Sequence, residues 1–84
     1  MNTSVKVTAD AAQTFAALYD RMVATATPAA YQRKAAWDRS ELAQQPETQD
    51  WDFDNVRLFT FYQDVRNDGL THEAAIVKAE SQIR

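Results

Sequence analysis

Gly69 is the only glycine among 84 residues, and it lies between two stretches of helical pattern. At the average glycine usage of about 7%, a chain of this length would carry roughly six. Sheets and long loops draw on glycine for their turns and bulges, because a Cβ resists positive φ. With one glycine and two prolines, this chain has little chemistry for turning strands. The expected fold is therefore all-α: a small compact bundle of about four helices, with a tight C-terminal helical hairpin at Gly69.

Eighty-four residues make a single domain, here residues 1–84. Residues 1–7 have no helical signal and could form a short extended arm, with Val5 and Val7 alternating with polar neighbours. The absence of cysteine removes disulfides and thiolate metal sites and fits a reducing compartment. The stretch from Met1 to Lys6 has no apolar core of the kind a signal peptide needs. The longest apolar run, Phe15 to Tyr19, is far short of the roughly 20 residues of a membrane span. A cytoplasmic protein without a membrane partner is expected.

Twelve acidic and nine basic residues give a net charge of −3. Proteins that bind nucleic acid through phosphates gather Lys and Arg on one face, whereas here the cations are scattered, with Arg33 and Lys34 the only adjacent pair. Nucleic acid is disfavoured as a direct ligand, and an anionic membrane surface for the same reason.

Periodicity places four helices. The first is expected near 9–26, capped by Thr8 or Asp10, with one apolar stripe of Phe15, Leu18, Tyr19, Met22, Val23 and Ala26. Thr27-Pro28 supplies an N-cap and an N1 proline for a second helix near 28–44. Its stripe is Tyr31, Ala35 and Leu42, and Trp37 falls about 140° round the axis from it. Gln45 to Gln49 reads as the linker. The third helix is expected near 52–67, starting at the Asp50–Asp54 cluster rather than at Pro46, with Leu58, Phe61, Tyr62 and Val65 as its main apolar face. Gly69 then stands at C′ of a Schellman motif with Leu70 folding back from C″. Thr71 caps a fourth helix near 71–84, whose inward stripe is Ile76, Ala79 and Ile83 with Ala75 alongside.

The constellations that suggest chemistry each fail at particular residues. Asp50-Trp51-Asp52-Phe53-Asp54-Asn55 resembles half a calcium loop, but Asn55 stands where such a loop needs glycine and Phe61 where it needs glutamate. The expected role of the cluster is to cap a helix and favour its positive N-terminus; no metal site is assigned. A helix-turn-helix through Gly69 would want a small residue where Val65 stands and an apolar one where Asp68 stands. Its reading helix would offer Glu73, Lys78, Glu80 and Arg84, two charges of each sign. His72 is the only histidine and has no cysteine or second histidine to act with. Ser4, Ser40 and Ser81 lie outside any strand-turn-helix elbow. Neither catalytic residues nor a cofactor are expected.

One anomaly remains. Phe59 lies about 110° from the main face of the third helix and Val56 nearly opposite it, with Phe53 extending this second apolar strip. A helix apolar on two sides is either central to its bundle or presents one side to another chain. Trp37, ill-placed for its own helix, favours an interface, where aromatic residues are enriched. The expected function is a non-enzymatic protein-protein interaction module: a small acidic adaptor, regulator or inhibitor, partnered by another protein or by itself as a homodimer. Its expected partner-binding residues are Trp37, Trp51, Phe53, Val56, Arg57 and Phe59. On this reading alanine at Phe59 or Trp37 weakens association more than it lowers the melting temperature. The alternative is a nucleic-acid-linked regulator. That could be a dimer gathering Arg33, Lys34, Arg39, Arg57 and Arg66 on DNA. It could instead be an acidic antagonist of a nucleic-acid-processing enzyme, as small mobile-element-encoded inhibitors are.

Overall fold

A computed structural model describes residues 6–25 and 36–82. Through them run four α-helices: α1 (Ala9–Thr25), α2 (Arg39–Ala43), α3 (Phe53–Asn67) and α4 (His72–Gln82), with a 3-10 turn at Pro46–Thr48 between α2 and α3. No strand occurs among the described residues. The fold is the expected small all-α bundle.

Every helix begins where a short oxygen-bearing side chain can accept an otherwise unpaired N–H. Thr8 Oγ1 accepts from Ala11 N–H at 3.1 Å, Asp52 Oδ1 from Asn55 N–H at 2.9 Å, and Thr71 Oγ1 from Ala74 N–H at 3.2 Å. Asp38 and Glu41 form a full capping box: Asp38 Oδ1 accepts from Glu41 N–H at 2.8 Å and Glu41 Oε1 from Asp38 N–H at 3.0 Å. That box corrects the second helix. Residues 36–38 are not helical, and Asp38 is extended at φ −80°, ψ 178°, so Trp37 precedes a short helix instead of riding on a long one. The expected Thr27-Pro28 start, with Tyr31 and Ala35, lies outside the described residues, as do Ala26 and Ile83.

The α3–α4 hairpin forms as its sequence implies. Gly69 has φ +107°, a conformation that costs any residue with a Cβ. Gly69 N–H donates to Arg66 O at 3.0 Å and Leu70 N–H to Val65 O at 3.1 Å, the two bonds of a Schellman motif. Leu70 packs back against the core.

That core is aromatic and centres on Phe15. Its ring lies 5.4 Å from each of Trp51, Phe59 and Tyr62, in the tilted and edge-on arrangements that the ring quadrupole favours. Leu18 and Met22 of α1, Leu42 of α2, Leu58 of α3, and Ala75 and Ala79 of α4 complete it. Two expected stripes are rotated. On α3 the buried positions are Leu58, Phe59, Tyr62 and Gln63, while Phe61 and Val65 are half-buried. Phe59 is fully enclosed, so its place among the partner-binding residues is corrected: it belongs to the core, drawn in by Phe15 and Trp51. On α4 the centre is Ala75 and Ala79, fully buried, with Ile76 at the edge; small side chains let the two arms of a tight hairpin approach.

The supposed linker is ordered. Thr48 Oγ1, buried, lies within hydrogen-bond distance of Leu42 O (2.8 Å) and Gln45 O (3.0 Å). Gln49 Nε2 lies within reach of Ala43 O (2.8 Å) and Gln45 O (3.1 Å). These groups satisfy carbonyls at the end of α2. Arg21 of α1 then grips the turn, donating to Glu47 Oε1 at 2.9 Å, to Glu47 Oε2 at 2.6 Å and to Gln45 Oε1 at 2.9 Å. Helix α3 starts after this turn, at Phe53, the later of the two expected positions. At the other end of the chain, Val7 N–H donates to Glu80 Oε2 at 2.7 Å, which ties the segment before α1 to α4.

The core and surface rings separate by mutation. Phe59→Ala should cost about 3–5 kcal/mol in urea unfolding, the usual loss for an enclosed phenylalanine. Phe53→Ala, at a ring 59% exposed, should stay within about 0.5 kcal/mol; equal losses would contradict this assignment. The Arg21 guanidinium holds the Glu47 carboxyl below its usual range, chiefly through their hydrogen bond. A lowered folded-state value means the stabilisation is present above the ordinary carboxylate range and vanishes as pH falls through the folded value. Glu47→Gln should therefore lower the melting temperature in neutral buffer, with the gap to the native protein closing in acid. A gap independent of pH would refute the ion pair's role.

Candidate functional site: an arginine-flanked groove on the outer side of α3

Helix α3 has a second side. At roughly 100° per residue, Val56, Arg57, Thr60, Phe61 and Phe53 cluster about 160° from the buried positions. This outer side meets the segment leading into α2, and between them lies a groove of about 160 Å³ lined by Trp37, Asp38, Arg39, Val56, Arg57, Thr60 and Phe61.

Two local devices hold the groove's second wall. Gln63, only 2% exposed, pairs with the backbone of Trp37 in both directions: Trp37 N–H donates to Gln63 Oε1 at 3.2 Å and Gln63 Nε2 donates to Trp37 O at 2.8 Å. The amide thus acts as a one-residue strand edge and leaves no buried donor or acceptor unmet. The Asp38–Glu41 capping box then fixes where α2 begins, which sets Arg39 at the groove mouth.

Phe53 occupies the lip. It is the first helical residue after the Asp52 cap, and its ring is largely exposed. The Arg39 Cζ lies 5.1 Å and the Arg57 Cζ 5.5 Å from the ring centroid, within cation–π range. Neither arginine has an ion pair among the described residues, where the single salt bridge joins Arg21 and Glu47. A net-acidic chain therefore sets two arginines around an exposed phenyl ring, with Asp38 in the wall of the same groove.

Of the expected partner-binding residues, Trp37, Val56 and Arg57 line this groove and Phe53 borders it. Trp51 does not join them: half-buried, it packs on Phe15 and Phe59 as part of the aromatic core. Arg39, Thr60, Phe61 and Gln63 are the additions. Arg39 was within reach of the sequence, since Asp38-x-x-Glu41 has the spacing of a capping box; the Gln63 clamp leaves no local signature. Three of the five cations of the DNA-binding alternative fall among the described residues. Arg39 and Arg57 flank the groove, while Arg66 lies 4.6 Å over the Tyr19 ring; Arg33 and Lys34 lie outside the described residues.

A second polar cluster surrounds Tyr62. Its phenol oxygen lies 2.8 Å from His72 Nδ1 and accepts from Arg66 Nη1 at 3.0 Å. Tyr19 O–H donates to Asn67 Oδ1 at 2.8 Å. Burial pushes the Tyr62 phenol upward from its ordinary value, against the opposing pull of Arg66. A phenol harder to ionise is a poor base or nucleophile near neutrality, and these contacts tie α3 to α1 and α4. Among the described residues no three carboxylate or imidazole groups converge on a metal position, and no helix is long and apolar enough to cross a membrane.

Comparison with protein-family models, curated proteins and solved structures finds no match for this chain.

The Gln63 clamp can be tested directly. Gln63→Leu keeps the volume but leaves the Trp37 N–H and C=O without partners, so a loss of about 1–3 kcal/mol is expected. Trp37, followed in a Trp51→Phe background, should become more accessible to a fluorescence quencher. Unchanged quenching would show that the groove wall stands without the clamp.

Proposed function

We propose that the protein is a non-enzymatic protein–protein interaction module, a small acidic adaptor, regulator or inhibitor that docks through the groove on the outer side of α3. The observation that carries this reading is the state of Phe53: a large apolar ring, 59% exposed, beneath two arginines that have no carboxylate partner among the described residues. Next to it lies a groove floored by Val56, Thr60 and Phe61. Interface cores are enriched in aromatic residues and arginine, and their energetic centres are apolar anchors seated in pockets. Val56 packs against the edge of the core, whereas Phe53 does not join it, so apolar packing within the chain does not account for the position of the Phe53 ring.

Occupancy of the groove can be read in the cell. A photo-crosslinking amino acid at position 60, inside the groove, should give a protein adduct resolvable by mass spectrometry. The same group at position 13, exposed on α1, should not. An absence of adduct at position 60, or equal adducts at both positions, would remove the groove as a docking site.

A further inference from the structure

We infer that the α3–α4 turn carries a covalent modification site at Asp68–Gly69, where aspartate converts to isoaspartate through a cyclic imide, and that the Schellman motif holds this reaction off while the hairpin is closed. Asp68 is the only aspartate followed by glycine, since Gly69 is the only glycine. A glycine has no Cβ to obstruct approach of its nitrogen to the preceding side chain. Both residues are exposed to water.

The reaction needs only water. The Gly69 nitrogen gives up its proton and bonds to Asp68 Cγ, and the carboxyl hydroxyl leaves with that proton as water. Water then adds back to one carbonyl of the five-membered imide. Breaking the C–N bond at Cγ regenerates aspartate. Breaking it at the main-chain carbonyl frees an α-carboxylate and leaves the chain running through Cβ and Cγ, one methylene longer. Mass and charge are unchanged.

Two features of the closed turn oppose the first step. Ring closure requires Asp68 Cβ to eclipse the Gly69 nitrogen about the Cα–C bond. At ψ −4° the Asp68 nitrogen takes that position, and the tetrahedral geometry of Cα places Cβ about a third of a turn away. The proton that must leave is also engaged, donated by Gly69 N–H to Arg66 O at 3.0 Å. Rotating ψ into register swings Gly69 N–H off Arg66 O and carries Leu70 N–H off Val65 O. Both bonds that close the motif must therefore break first, which couples the chemistry to local opening of the hairpin. The product does not close again in the same way. With an extra methylene between Asp68 Cα and the Gly69 nitrogen, the two N–H groups fall out of register with Arg66 O and Val65 O, and α3 and α4 are left joined by a looser turn.

Trypsin releases Asn67 to Lys78 as one peptide, whose isoaspartyl form separates chromatographically from the aspartyl form and is placed at position 68 by electron-transfer fragmentation. The intact chain is aged at physiological temperature and pH and then digested; the same peptide, released before ageing, gives the unstructured rate. The intact chain should isomerise at least about tenfold more slowly than the peptide. Leu70→Ala removes the side chain that packs back on the core but leaves Asp68–Gly69 intact, and it should narrow that gap while helical circular dichroism persists. If that variant unfolds, the native chain aged at increasing urea below its unfolding transition replaces it, and isomerisation should rise along the series. A chain synthesised with isoaspartate at position 68 should melt below the native one. An intact chain that isomerises as fast as the peptide, a peptide that forms no isoaspartate, a rate indifferent to loosening of the turn, or an isoaspartyl chain as stable as the native one would each overturn the inference.

Discussion

The ring of Phe15 is the point on which the helices of this protein agree. It comes from α1, and its neighbours at 5.4 Å come from α3 (Phe59, Tyr62) and from the segment before α3 (Trp51). A domain of this size has little apolar surface to bury, so the orientation of α3 is set by whichever of its sides can surround that ring. Phe59 supplies an edge-on contact at 81° and Tyr62 a tilted one, and turning α3 to present both leaves Phe61 half-buried at the edge of the core. The outward-facing groove is a consequence of that rotation.

Polar groups then lock what the aromatic rings orient. Tyr19 to Asn67, and Tyr62 between His72 and Arg66, join α1, α3 and α4 through side chains whose polar ends find one another. Gln63 performs the same service for the irregular segment at Trp37. Among the described residues no buried side-chain nitrogen or oxygen lacks a partner, which matters because each unmet group would cost a sizeable part of the few kcal/mol that hold a small domain folded. Against this background of satisfied groups, Arg39 and Arg57 stand out as cations resting on an exposed ring.

Local chemistry was legible wherever its partners lie within a few residues. The Thr8 and Thr71 caps, the start of α3 after the proline turn and the Schellman end at Gly69 all depend on contacts three to five residues apart, and the sequence announces them. The Asp38–Glu41 box was equally local but was obscured by a helical reading carried across Trp37. The candidate site was legible in part. Val56, Arg57 and Phe53 share a side of one helix, a matter of periodicity. Trp37 belongs with them for a different reason, because Gln63, 26 residues away, draws its backbone onto α3. Phe59 was misplaced because periodicity reports that a helix has two apolar sides without saying which one meets the rest of the chain.

The sequence by itself determined the helical class, the boundaries set by Thr8, Thr71 and Gly69, and the two-sided character of α3. Each follows from backbone sterics and from side chains acting on their own or adjacent turns. Only the tertiary structure decided that Phe59 and Trp51 close the core while Phe53 stays outside under Arg39 and Arg57. It also decided that a glutamine joins Trp37 to α3 and that the proline turn is gripped by Arg21. Those choices depend on which groups the packed helices bring within a few ångströms of one another, and a pattern along one chain does not encode that distance.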